Sequence, residues 1–353
     1  MSRPRYLSFT EISDHRDCPA YGFVRYREGV RSPTAASMRV GTLTHAGVAA
    51  ACRAHAQSKG LAAPGETSIE GAIRAACAEP WGPDKDTTIE EDAETAIEVT
   101  RRALAGLDLP SGRFEHVEHE GRACIERRFV IPIADPELAY YTGGFVAKID
   151  LALRDHEYDG RLALIDLKVS RYLDTDLGLD PQLALYQHVM GVVGLWPELA
   201  WQYRISPAAP VAPEPLARPL KGRRLSTKRE GYITEETFRR ACREVGDDPE
   251  AEHYATFLEW IRGRKPWACA LGGADRYTAA TIFAEVLVSA REVVRRQSCA
   301  DAARHFRSHK GGCAARCSLY NQCVTAQGTA DLVRLVRSAL EKKPTTTVDL
   351  DID

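Results

Sequence analysis

The spacing of hydrophobic positions changes along the chain from helical to strand-like and back to helical. Ser8 and Glu11 form an S-x-x-E box ahead of a short helix that should stop at Cys18–Pro19, because proline disfavours helix in the residue before it. Residues 35–59, rich in alanine, read as a helix, and Thr88 with Glu91 opens another that runs towards Gly106. After Pro110 the pattern is that of a sheet: FEHVEHEG, ACIERRFVIPI, GGFVAKIDLALR and RLALIDLKVS alternate in part and are separated by turn residues. Asp155–Gly160, ending in Asp-Gly, predicts an antiparallel hairpin between the last two.

A helix follows at 180–193, and WQYRIS reads as a further strand. From Pro207 to Pro219 proline is too frequent for a helix or a central strand, which predicts an extended connector. Helical patterns return at Thr234–Val245, Pro249–Arg262 and Tyr277–Gln297, and PTTTVDLDID reads as an acidic tail. The sum is an α/β fold: one domain over 1–325, with a mixed central sheet flanked by helices. Its parts are a helical region at 35–110, a sheet core at 113–206, a proline-rich and basic connector at 207–232, and C-terminal helices with a cysteine cluster at 233–325. A C-terminal helix and tail occupy 326–353.

Composition narrows the partners. At 353 residues and 44% hydrophobic the chain can build its own core, while the first twenty residues lack an apolar segment and eighteen apolar residues never run together. A cytoplasmic protein with no membrane span is therefore expected. The net charge of -2 means that any surface for a polyanion must be local. The richest stretch is RPLKGRRLSTKR, which carries Arg218, Lys221, Arg223, Arg224, Lys228 and Arg229; a solvated loop is the plainer account of it. Of the ten cysteines, Cys52, Cys77, Cys124, Cys242, Cys269 and Cys299 lack ligand-like spacing and read as small buried residues. Cys18, Cys313, Cys317 and Cys323 differ: GGCAARCSLYNQC concentrates three of them within eleven residues, as a soft-metal centre would.

In IDLKVS, strand alternation puts Asp166 and Lys168 on one face and Ile165, Leu167 and Val169 on the other. Asp150 interrupts the partner strand, and the right hairpin register would set it beside Asp166. Two carboxylates facing one spot call for a cation, and their hard oxygens suit Mg2+ or Mn2+. Lys168 could then position water and stabilise charge building on a phosphate. A buried ion pair is the simpler alternative. Gln182 and Tyr186, four apart, share a helix face, His45 taken alone reads as a satisfied histidine in a packed helix, and Glu118 and Glu120 read as a solvated strand face.

Taken in order, GTLTHAGV around His45, GGFVAKID, IDLKVS and QLALY resemble the successive motifs of RecB-type nucleases in the PD-(D/E)XK superfamily, over roughly Ser8 to Cys323. The resemblance implies a restriction-endonuclease-like core, metal ligation by His45, Asp150, Asp166 and the Leu167 carbonyl, and a catalytic Lys168. It matches Gln182 and Tyr186 to the Q-x-x-x-Y element. RDCPAYGFVRY resembles the N-terminal cysteine segment of the iron-sulfur subgroup, which includes the CRISPR-associated RecB-like exonucleases and AddB. That implies a 4Fe-4S cluster on Cys18, Cys313, Cys317 and Cys323, although the subgroup usually has two residues between the first two clustered cysteines and this chain has three. Four thiolates also satisfy Zn2+. The implied activity is exonucleolytic hydrolysis of DNA, single- or double-stranded with an end, in recombination, repair, phage DNA processing or CRISPR adaptation, with recombination, helicase or CRISPR-adaptation partner proteins. A DNA-binding or scaffold subunit, and a zinc-stabilised RNA-processing nuclease, are the other readings.

Overall fold

The computed structural model describes residues 6–30, 36–78, 88–132, 138, 144–169, 180–195, 201–207, 211–229, 233–263, 267–273, 276–298 and 319–341. Strand β1 (Tyr6–Ser8) passes directly into helix α1 (Phe9–Asp17). The Ser8 hydroxyl accepts the Glu11 amide at 3.2 Å and caps α1, and Cys18, the residue before Pro19, ends it as expected. Helices α2 (Ala36–Ser58), α3 (Ile69–Ala78) and α4 (Thr88–Leu107) follow and pack together through Val40, Leu43, Ile73 and Ala96.

Four strands of the main sheet come next: β2 (Phe114–His116), β3 (Ile125–Ile131), β4 (Gly144–Asp155) and β5 (Arg161–Leu167). The β4–β5 hairpin turns where Asp155-x-x-x-Asp-Gly predicts. Asp155 accepts the Glu157 amide at 3.0 Å, and Asp159 and Gly160 take up the left-handed angles of 58° and 67°. Helix α5 (Pro181–Val192) leads to β6 (Trp201–Pro207). β4 is the spine of the sheet. On one flank it pairs antiparallel with β3 and β2; on the other it pairs parallel with β1 and antiparallel with β5. β5 then pairs parallel with β6.

β5 is apolar on both sides because both faces of the sheet are covered. Leu162 and Leu164 pack with Leu183 and Val189 of α5, whereas Ala163, Ile165 and Leu167 pack with Val48 and Cys52 of α2 and Leu107 of α4. Each such leucine or isoleucine contributes about 2 kcal/mol by leaving water. Cys52, Cys124 and Cys242 are buried among these and neighbouring apolar side chains, and burial pushes their thiols up to about 12, 11 and 11, so they serve as packing groups. Cys77 is partly exposed.

Two expectations need correction. First, the sheet is not confined to 113–206, since β1 precedes that range and a further strand, Trp267–Gly273, pairs antiparallel with β6. That segment, WACALGG, is small and glycine-rich and shows no alternation to read. Second, the connector at 207–232 is not merely extended: β7 (Pro215–Leu220) and β8 (Arg223–Leu225) form a hairpin within it. Pro215 and Pro219 are tolerated because a two-stranded ribbon leaves one edge of each strand without ladder bonds. With α6 (Glu235–Val245) and α7 (Ala255–Arg262), the hairpin closes a small core of Leu225, Phe238, Tyr254, Phe257 and Ile261. The strand at Trp267–Gly273, β9, is followed by α8 (Arg276–Ser298), which covers α5, and by α9 (Thr329–Glu341). The acidic tail from 342 onward lies outside the described residues.

One buried contact makes stability depend on pH. His116 of β2 is 6% exposed, and its Nε2 lies 3.1 Å from Nδ1 of His55 on α2. Burial, with the neighbouring His55, lowers His116 from the usual 6.5 to about 4. Between those values the unfolded chain binds a proton that the folded chain refuses, so stability falls as pH drops through the window, by up to about 3 kcal/mol. Urea unfolding at pH 7 and pH 4.5 should show the native protein losing more stability than His116→Leu; equal losses would contradict this account.

Candidate active site

The site lies where two neighbours of β4 fail to meet. On one flank of β4 the ladder with β1 stops at Val146 and the ladder with β5 begins at Leu151, so Asp150 stands at a fork. Its Oδ2 accepts the Leu167 amide at 2.8 Å, which holds the end of β5 beside β4 after the ladder has ended. His45, from α2, binds the other side of the same residue, with its Nε2 2.8 Å from the Leu167 carbonyl oxygen. The imidazole Nδ1 lies 3.1 Å from Oε1 of Glu126 and 3.5 Å from Oδ1 of Asp150.

Sequence reasoning missed Glu126. The β3–β4 register runs unbroken from Ile125–Leu151 to Arg127–Ile149 and so sets Glu126 opposite Asp150, where no ladder pair forms and the Glu126 φ of 49° is left-handed. Ile125 and Phe129 have the same parity yet pack into cores on opposite sides of the sheet. The one signal available was the charged run Glu126-Arg127-Arg128 inside an otherwise buried strand. Glu118 and Glu120, by contrast, are exposed, as expected. Lys148 Nζ meets Glu126 Oε2 at 2.6 Å. One ligand atom from each of His45, Glu126 and Asp150 can be chosen so that all lie within 4.8 Å of one another.

Asp166 and Lys168 share a face, as alternation predicts, and meet at 2.8 Å with Asp166 only 1% exposed. Lys168 also donates to Gln182 Oε1 at 3.2 Å, and Gln182 Nε2 donates to the Tyr186 hydroxyl at 2.7 Å. The start of α5 sets this alignment. Asp180 caps the helix by accepting the Gln182 and Leu183 amides at 2.8 and 3.1 Å, and Pro181 fits the first helical turn. The hairpin register, continued one residue past Leu151–Ile165, sets Asp150 level with Asp166; Asp150 bonds the Leu167 amide and neighbours His45 and Glu126, while Asp166 pairs with Lys168.

The carboxylates remain electrostatically linked. Burial raises the Asp150 carboxyl, Glu126 and Asp166 add to the rise, His45 opposes it, and the result is about 6. For His45 burial works downward, but Asp150 and Glu126 outweigh it and lift the imidazole to about 9. Glu126 falls below its usual range despite burial, because His45 and Lys148 bond to it. Carboxylates crowded at one buried spot demand positive charge, and the donors are hard oxygens with a single imidazole nitrogen, a set that fits a divalent Mg2+ or Mn2+.

At the chain ends, Cys18 and Cys323 border one apolar cluster that includes Phe23, Val24, Leu319 and Leu332. Glu28 and Arg337 join the same two segments at 2.6 Å. Cys313 and Cys317, with the neighbouring Arg304, Arg307 and Lys310, lie outside the described residues, as does Cys299.

A mixed sheet sandwiched by helices, with an Asp-Leu-Lys triplet at the end of a buried strand and a second acid at the fork beside it, defines a class. Residues 6–323 match the model of the PD-(D/E)XK nuclease superfamily, and the chain belongs to that superfamily. Membership makes it a nuclease that depends on a divalent metal. No curated protein matches the chain. Among the described residues no helix is long and apolar enough to cross a membrane.

The crowding has a measurable cost. Ionised Asp150 opposes folding at neutral pH, so Asp150→Asn, which keeps an oxygen for the Leu167 amide, should raise the thermal midpoint of the metal-free protein by a few degrees. Scanning calorimetry in chelator checks it, and a lowered midpoint would contradict the electrostatic account.

Proposed function

We propose that this chain is a RecB-type DNA nuclease of the iron-sulfur subgroup, acting from DNA ends. The observation that carries the reading is the convergence of His45 and Asp150 on Leu167, with Glu126 against His45, next to the Asp166–Lys168 pair. His45, Glu126, Asp150, Asp166 and the Leu167 carbonyl would hold Mg2+ or Mn2+. Bound there, the cation supplies Lewis-acid stabilisation and a water acidic enough to attack phosphorus at neutral pH. Lys168 keeps a positive charge beside the attacked phosphate, where charge builds up in the transition state. Asp166 and Gln182 restrain the lysine from two sides, and Tyr186 fixes the amide of Gln182, so the ammonium is oriented before substrate arrives. The buried apolar residues behind Leu167 hold the carbonyl and amide on a rigid strand rather than a loop.

The proposed cluster on Cys18, Cys313, Cys317 and Cys323 has a structural role: it ties the first helix to the last part of the fold. A crosslink across so long a loop restrains the unfolded chain strongly. The shared packing of Cys18 and Cys323 supports this. Zn2+ in place of iron and sulfide would serve the same purpose.

The test is digestion of end-labelled linear DNA, closed circular DNA and RNA by anaerobically purified protein. Linear DNA should be degraded with Mn2+ or Mg2+ and spared in chelator, circles should resist, and the preparation should contain stoichiometric iron and sulfide. Asp166→Ala and Lys168→Ala should each lower the rate at least about 100-fold with an unchanged circular-dichroism spectrum. Equal cleavage by the variants would overturn the site, an inactive native protein that binds DNA would point to a scaffold, preference for RNA would overturn the substrate, and zinc alone would reassign the cysteines.

A further inference from the structure

The folded unit between β6 and β9 takes no part in the site described above, yet the topology places its roots beside that site. Its chain leaves the sheet at Pro207 and returns at Trp267, and these two residues are register partners. β6 runs parallel to β5 with Ile205 opposite Leu167, so Pro207 lies two residues beyond the level of Leu167, at the end of the sheet that carries Lys168. Neighbouring strands are about 4.8 Å apart, so the insertion is rooted one strand away from the Asp166–Lys168 pair.

Charge within this unit is divided unequally. On its helical half, Glu235 holds both Arg239 and Arg262, and Glu250 also binds Arg239, so these two arginines are neutralised internally. The stretch from Arg218 to Arg229 instead carries six cations and no acid. Arg218, Lys221, Arg224, Lys228 and Arg229 are exposed, and none of the six makes an ion pair among the described residues. Two of the arginines are spent on local structure, Arg223 on Thr227 and Arg224 on the Val245 carbonyl at 3.0 Å.

The platform beneath these cations is firm. The Arg224 and Leu225 amides both donate to the hydroxyl of fully buried Tyr254, at 3.2 and 3.1 Å, and that hydroxyl donates to Asp247 at 2.8 Å. Lys221 and Gly222 form the tip, with φ of 51° and 84°, a tight left-handed turn that displays the lysine. Like charges held on a rigid ribbon repel one another unless a polyanion neutralises them.

We propose that the β7–β8 hairpin is a backbone clamp for nucleic acid, in which Arg218, Lys221, Lys228 and Arg229 bind phosphates away from the bond being cut. The proposal rests on the nuclease reading and adds a second substrate contact to it. Arg218 is eleven steps along the chain from Pro207, and each step spans at most about 3.5 Å, so its contact falls within roughly 40 Å of the root, little more than one duplex turn. Phosphate contacts carry no sequence information, so the clamp would give affinity without base preference.

The experiment compares the full-length native protein with a variant carrying Arg218→Glu, Lys221→Glu and Lys228→Glu. A charge-matched control carries Lys59→Glu, Arg74→Glu and Arg101→Glu, three exposed positions on the helical layer. Binding of a 30-base-pair duplex in Ca2+ is titrated from 50 to 300 mM salt, and KM for the duplex is measured in Mn2+. The hairpin variant should bind at least about tenfold more weakly at low salt, with a plot of log K against log salt shallower by about 2 to 3, and KM should rise far more than kcat falls. The control should keep the native slope. A native slope and KM in a folded hairpin variant, or equal losses in both variants, would overturn the clamp. If the native protein cleaves nothing but loses its salt-dependent binding with the hairpin cations, the nuclease reading fails and the clamp stands.

Discussion

The Asp150 carboxylate that accepts the Leu167 amide at 2.8 Å stands in for a missing rung of the sheet. β4 and β5 part beyond Leu151 and Ile165, and the carboxylate spans the opening with a charge-assisted bond to backbone. Other features of the site depend on that opening. It frees the Leu167 carbonyl for His45, leaves room for Glu126 from the opposite strand, and directs Asp166 and Lys168 towards α5. A regular ladder at this point would have consumed the backbone groups the site uses.

The arrangement trades stability for charge density. A left-handed glutamate and a buried aspartate lifted to about 6 are individually unfavourable and occur together, whereas the imidazole, lifted to about 9 by the carboxylates, offsets part of that cost. The surrounding core is what sustains them: both faces of β5 are packed, and the hairpin turn is fixed by Asp155 and Arg113 at 2.9 Å. Strain of this kind persists where surrounding structure over-determines it.

Legibility in the sequence followed the regularity of the backbone. The pairing of Asp166 with Lys168 and of Gln182 with Tyr186 was readable because it needs only strand alternation and one helical turn. The hairpin and the α1 cap were readable from Asp-Gly and Ser-x-x-Glu. His45 carried no local signal, since its role depends on a contact with Leu167, far away in the chain, and only motif resemblance singled it out. Glu126 escaped because a positive φ breaks the alternation on which strand reading relies. The basic stretch looked like a loop because proline and charge conceal a hairpin whose core is supplied by helices further along the chain.

If His45, Glu126 and Asp150 hold one cation together, Glu126 is a full member of that site. Calorimetric titration of Mn2+ into the native protein and into Glu126→Gln, with iron and zinc content matched beforehand, tests it most directly. One Mn2+ per chain should bind at this site in the native protein, and binding should weaken by at least about tenfold in the variant. Unchanged Mn2+ affinity in Glu126→Gln would contradict it.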